Sequence, residues 1–119
     1  MEAALTATSM IGVPYRYAGS SPHGFDCSGL VTYSYSKAGL SGLPHSAKGL
    51  ERRAQPVSLS QLEPGDLLFF DLEDKYHVAI YVGDQAFVHA PSPGGHVERV
   101  SLDHVYWGSR IERAGRIID

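Results

Sequence analysis

The sequence predicts an α+β fold, with N-terminal helices packed on a central antiparallel β-sheet. Two observations carry this. Helix signals, two of them with a capping residue, are confined to the first half of the chain, and short β-favouring runs separated by turn residues follow from Pro64. A third observation makes a packed core feasible: 43% of the 119 residues are hydrophobic, which suits one compact domain over 1–119.

The elements follow in order. Glu2 to Met10 favour a first helix, which Gly12 and Pro14 end. "PYRYAGSSPHG" is rich in turn residues and reads as a loop. Asp26 is a good N-cap for a helix from about Cys27 to Ala38. Its apolar positions Leu30, Val31, Tyr33, Tyr35 and Ala38 recur at mixed short spacings, and Gly39 provides the stop. "GLSGLPHS" is a second loop, and Ser46 caps a short helix through Arg52. "ERRAQPVSLSQLEPGD" reads as a connection, too short and too mixed to divide domains. Then "GDLLFFD", "HVAIYVGD", "QAFVHAP" and "HVERVSL" read as strands, with "PSPGG" reversing the chain between the last two. "VYWGSRIERAGRII" adds one or two more.

Bulk properties exclude several classes. A net charge of −3 leaves no broad basic footprint, so no nucleic-acid partner is expected. No apolar run approaches the roughly 18 residues that span a bilayer, so no transmembrane segment is expected. "MEAALTATSMIGV" has an acid and no base before its apolar stretch and does not read as a signal peptide. The expected location is the cytoplasm, or the cell envelope or exterior if a targeting segment has been removed. The single cysteine rules out an internal disulfide and a cysteine-rich zinc module.

That cysteine, Cys27, stands at the predicted start of a helix. There, unpaired backbone N–H groups and the helix dipole favour thiolate and can hold an oxyanion. The alternative is a buried structural thiol. A nucleophile also needs a base, and the base an orienting partner. His77 opens a strand in which His77, Ala79 and Tyr81 share a face. Ala79 is small enough for a helix to approach that face. His89 is placed to be a cross-strand partner of His77 if their strands are neighbours. His23, His45, His96 and His104 fall in loops or near strand ends and read as solvated surface.

Taken together, "GVPYRYAGSSPHGFDCSGLV", "LEPGDLLFF", "HVAIYVGD" and "FVHAP" resemble, in order, the signature blocks of the NlpC/P60 cysteine peptidases. The likeness runs from about Ile11 to Pro91 and is nearest to the bacterial cell-wall endopeptidases of that family. It implies a papain-like fold and hydrolysis of peptidoglycan stem peptides, at the bond between D-γ-glutamate and a diamino acid. No cofactor or metal is expected, and the chain is expected to act as a monomer. It implies Cys27 as nucleophile, His77 as general base, His89 as the residue that orients His77, and Tyr15 as a hydroxyl donor near the thiol. Asp26 and Ser28 match positions that in some members hold the free amine of an N-terminal L-alanine. Each assignment has a plainer alternative: a helix cap for Asp26, a packed aromatic for Tyr15, a small spacer for Ser28.

Two departures stand out. Ala18 precedes Gly19 where the family usually has two glycines, which is expected to tighten the loop slightly. His45 follows "LP" where an arginine is frequent, removing a fork-shaped donor for a carboxylate. The competing functions are a related Cys-His amidase or acyltransferase, a peptidoglycan-binding module without turnover, and a metal site built from Asp26, Cys27, His77 and His89.

Overall fold

The computed structural model describes residues 2–73 and 75–118; Met1, Asp74 and Asp119, and with them the two ends of the expected domain, lie outside the described residues. Helix α1 spans Glu2–Ser9 and is followed by a turn through Gly12. The predicted loop contains a two-stranded ribbon, β1 (Ser20–Ser21) against β2 (Gly24–Phe25). Helix α2 is Cys27–Lys37 and helix α3 is Ala47–Arg53. Both are capped as the sequence indicates, with Asp26 accepting from the Gly29 N–H and Ser46 from the Gly49 N–H. Gly39 follows α2 at φ +99°, the left-handed conformation that ends a helix without a Cβ clash.

The remaining strands are β3 (Gln55–Val57), β4 (Leu67–Leu72), β5 (Lys75–Gly83), β6 (Ala86–His89), β7 (Glu98–Ser101) and β8 (Ile111–Arg116). They form a six-stranded sheet in the order β3-β8-β4-β5-β6-β7, and every pairing is antiparallel. The final segment supplies one strand, β8, which enters through a 3₁₀ turn at Gly108–Arg110. The stretch expected to be a plain connection holds β3, which pairs with β8 at the sheet edge. Edge placement suits Pro56, which has no N–H to give a second neighbour.

Each face of the sheet carries its own apolar layer. Leu67, Phe69, Val78, Ile80 and Val88 pack against Ala3 and Ala7 of α1, Leu30 and Val31 of α2, and Leu50 of α3. On the other face Leu68, Phe70, Ala79, Phe87, Val100 and Ala114 are covered by Trp107, Leu62 and Leu102. The expectation that a helix approaches the His77–Ala79–Tyr81 face is therefore overturned. The helices take the Val78–Ile80 face, and Ala79 lies in the layer under Trp107. Arg116 of β8 ties the sheet to the turn before β4. Its guanidinium donates to both oxygens of buried Asp66, at 2.8 and 2.9 Å. Among the described residues no helix is long and apolar enough to cross a membrane.

Candidate active site

Cys27 is the first residue of α2 and is half-buried. The capping bond uses the Gly29 N–H, so the Ser28 N–H is left facing the sulfur. From the sheet, the Val78 N–H faces the same sulfur. Since Val78 follows His77, the helix start and the start of β5 meet at the thiol. Electrostatics here differ from the expectation of a favoured thiolate. Burial pushes the thiol pKa up and the Asp26 carboxylate adds to it, against the two N–H groups and the charge of Lys75. The free thiol is thus the resting form near neutral pH, and a base has to remove its proton.

His77 and His89 lie on the face away from the helices and are both buried. Their strands are neighbours, but the register pairs Ile80 with Val88 and Tyr81 with Phe87. Continued, it sets Ala79 beside His89 and leaves His77 on the diagonal. The small Ala79 side chain leaves the gap that the two imidazoles lean across, so His77 Nε2 lies 2.8 Å from His89 Nδ1. Phe70 and Trp107 flank His77, at centroid distances of 5.3 Å each, and Trp107 is edge-on to His89 at 4.6 Å. Burial lowers the His77 pKa well below its ordinary value, and the neighbouring His89 and Lys75 lower it further. Burial also lowers that of His89, opposed by Glu98, whose Oε2 lies 2.9 Å from His89 Nε2.

Asp26 is the helix cap that the sequence indicates, and its carboxylate has further neighbours. Its Oδ1 caps α2 from 2.7 Å, lies 3.4 Å from Ser28 Oγ, and is 2.9 Å from His45 Nε2. His45 is exposed, as expected, but it also sits against the candidate amine-binding carboxylate. Tyr15 stands in the same neighbourhood. Its phenol pKa is raised by burial and then by the charges of Asp26 and Cys27. Tyr15 is held there by backbone pairing with Phe25 and by its N–H donating to Gly95 O at 2.9 Å.

Cys27 opens on a groove of about 700 Å³, whose other walls include Lys48 and Arg52 of α3, Lys75 and Tyr76 of β5, and Glu73 between β4 and β5. Lys48 Nζ lies 4.8 Å from the Tyr76 ring centroid. The sequence reading missed these groove cations, Glu98 and Trp107. The one available signal was the spacing of Lys48 and Arg52, four apart on a predicted helix and so on one face. Among the described residues no three His, Cys, Asp or Glu side chains converge as a metal-ligating group.

Comparison with known proteins decides the family. The model described as the NlpC/P60 family matches residues 12–116. The chain belongs to the NlpC/P60 family. Its NlpC/P60 segment is 46% identical over 103 residues to a protein named probable endopeptidase of Mycobacterium tuberculosis, covering 87% of this chain and 26% of that protein. It is 40% identical over 114 residues to murein DD-endopeptidase MepH of Escherichia coli, covering 91% of this chain and 42% of that one. The chain thus spans between a quarter and a half of the length of these relatives. Among solved structures, an NlpC/P60 family protein from Bacillus cereus superposes with a TM-score of 0.89 at 30% identity, covering 99% of this chain and 40% of that chain. The NlpC/p60 domain of the peptidoglycan hydrolase SagA superposes with a TM-score of 0.83 at 33% identity, covering 96% of this chain and 95% of that chain. These matches and the three helices packed on an antiparallel sheet make the fold α+β and papain-like.

Proposed function

We propose that the chain is a cysteine endopeptidase that cleaves peptidoglycan stem peptides between D-γ-glutamate and a diamino acid, using Cys27, His77 and His89. The observation that carries this is the meeting of α2 and β5: a half-buried thiol against the backbone next to a buried imidazole, itself 2.8 Å from a second imidazole, at the wall of an open groove. The names of the relatives support the substrate class.

In this mechanism His77 is neutral and takes the thiol proton as Sγ attacks the carbonyl carbon of the scissile bond. The Ser28 N–H and the Tyr15 hydroxyl receive the developing oxyanion. His77 then returns the proton to the leaving amine, and water hydrolyses the thioester by the same base. Lys48 and Arg52 favour substrate carboxylates, and Asp26 receives the free amine of an N-terminal L-alanine.

Cys27→Ala is expected to remove hydrolysis by several orders of magnitude while the protein stays folded, because nucleophile and base act as a unit. Mass spectrometry of the products from defined muropeptides identifies the bond. Products cut at a D,D cross-link instead would overturn the bond assignment. Turnover retained in Cys27→Ala would overturn the nucleophile.

A further inference from the structure

We propose that Glu98 is a positioning residue which, through His89, fixes the proton on His77 so that His77 Nδ1 is the free basic nitrogen. This deepens the function proposed above and rests on it.

The argument follows hydrogen-bond capacity along the chain of contacts. Glu98 lies on β7, the edge strand, directly opposite His89 in the β6–β7 register. Its Oε2 is 2.9 Å from His89 Nε2. A carboxylate only accepts, so the bond forms when His89 Nε2 carries a proton. A neutral imidazole with Nε2 protonated has a lone pair on Nδ1. That Nδ1 is 2.8 Å from His77 Nε2, which must then be the donor. His77 in turn keeps its lone pair on Nδ1. Every proton is set by the one before it, and the only member that cannot switch roles is Glu98. Without it, nothing in these contacts distinguishes the two tautomers of His89, and one of the two points an N–H at His77 Nε2.

Position adds to this. His89 is fully buried, whereas the Glu98 side chain is 39% exposed at the sheet edge. The carboxylate therefore joins the buried pair to the solvent-exposed edge of the sheet. Other titratable groups bear on His89 as well. His77 and Lys75 face it from β5, and His104 from the segment after β7. His104 is held by its own contacts, with Nδ1 accepting from the Tyr106 and Trp107 N–H groups at 3.1 and 3.2 Å. Lys75 and His104 both disfavour a charged His89; among the described residues Glu98 alone favours it. Removing that carboxylate should therefore move the acid limb of the rate profile to lower pH.

The test compares Glu98→Gln and Glu98→Ala with the wild type, alongside nitrogen-15 NMR of the wild-type imidazoles. Gln keeps an acceptor oxygen and loses the charge; Ala loses both. We expect Glu98→Gln to stay within about threefold of wild-type kcat, and Glu98→Ala to lose about ten- to a hundredfold, the scale seen when a partner that orients a functional histidine is removed. Both should keep KM, and both should shift the acid limb downward. Wild-type spectra at neutral pH should show His89 protonated at Nε2 alone and His77 likewise. The spectra need no turnover, so they test the tautomer chain even if the wild type fails to cleave stem peptides or Glu98→Ala fails to fold. His89 protonated at Nδ1, or at both nitrogens, would overturn the proposal. So would a folded Glu98→Ala with wild-type kcat and an unmoved acid limb.

Discussion

Asp26 caps α2 and is also the side chain proposed to receive the substrate amine. All its contacts fall on Oδ1: the Gly29 N–H, Ser28 Oγ and His45 Nε2. Among the described residues Oδ2 has no partner, which leaves an oxygen free for the substrate ammonium proposed above. Asn at this position still caps a helix, while Ala does not. Asp26→Ala is therefore expected to lower stability by about 1 kcal/mol, and Asp26→Asn to leave it nearly unchanged. Both should lose activity on stem peptides with a free N-terminal L-alanine, by tenfold or more, because the charge is gone in both. On N-acylated peptides Asp26→Asn should match the wild type. Kinetics on the paired substrates, with urea melts of each variant, check this. Equal losses on both substrates would leave Asp26 only its cap. The sequence could place Asp26 at the helix start, because capping is a local property of a few residues. His45 was out of reach by the same logic. Its contact with Asp26 bridges 19 residues and depends on how α3 lies against α2.

At the level of elements, helix starts and strand centres were legible and faces were not. Asp26 and Ser46 announce their helices through side-chain bonds to the backbone three residues on. Alternation in "HVAIYVG" correctly groups His77, Ala79 and Tyr81, but two-residue periodicity does not say which group the helices cover. Both groups are apolar enough to be buried, and both are. β3 escaped notice because it is three residues long and contains Pro56, so only its pairing with β8 makes it a strand. Ala18, flagged as a departure, adopts φ +58°, the conformation that the usual glycine would reach without a Cβ clash. The loop it belongs to is fitted tightly to α2. A Cβ on Gly29 would stand 1.8 Å from Gly19 O and 2.8 Å from Asp26 Oδ1. Gly19 O also accepts the Asp26 N–H, at 3.0 Å. A methyl here must displace the backbone, the cap, or both. Gly29→Ala is expected to destabilise by about 2 kcal/mol or more, at the upper end of overpacking costs. It should also lower activity, since the same loop carries Tyr15. A denaturant midpoint equal to that of the wild type would show that the loop gives way freely.

For the molecule as a whole, the two buried imidazoles couple stability to pH. His77 and His89 are buried, and burial is the leading cause of the lowered pKa of each. In the unfolded chain both take up protons as the pH falls through about 6.5, the ordinary histidine value. In the folded chain they remain neutral to lower pH. Between those limits the unfolded state binds more protons, so stability falls as the pH drops below about 6.5 and is recovered as it rises. Two such protons set a maximum slope of about 2.7 kcal/mol per pH unit. The catalytic consequence has the opposite sense. A base that stays neutral to lower pH keeps working there, so the acid limb of kcat should lie below the ordinary histidine range. The protein is then expected to lose melting temperature before it loses its base. Melting curves and rate profiles from pH 7.5 to 5 measure both. His89→Gln removes one titrating group and keeps an oxygen acceptor for His77, so it should flatten the fall in melting temperature and retain part of the activity. His89→Ala should flatten it equally, yet lose far more activity, because nothing then orients the His77 ring. A melting temperature constant from pH 7.5 to 5 in the wild type would mean that these imidazoles protonate as readily folded as unfolded. That result would remove the physical basis for a neutral base at this site.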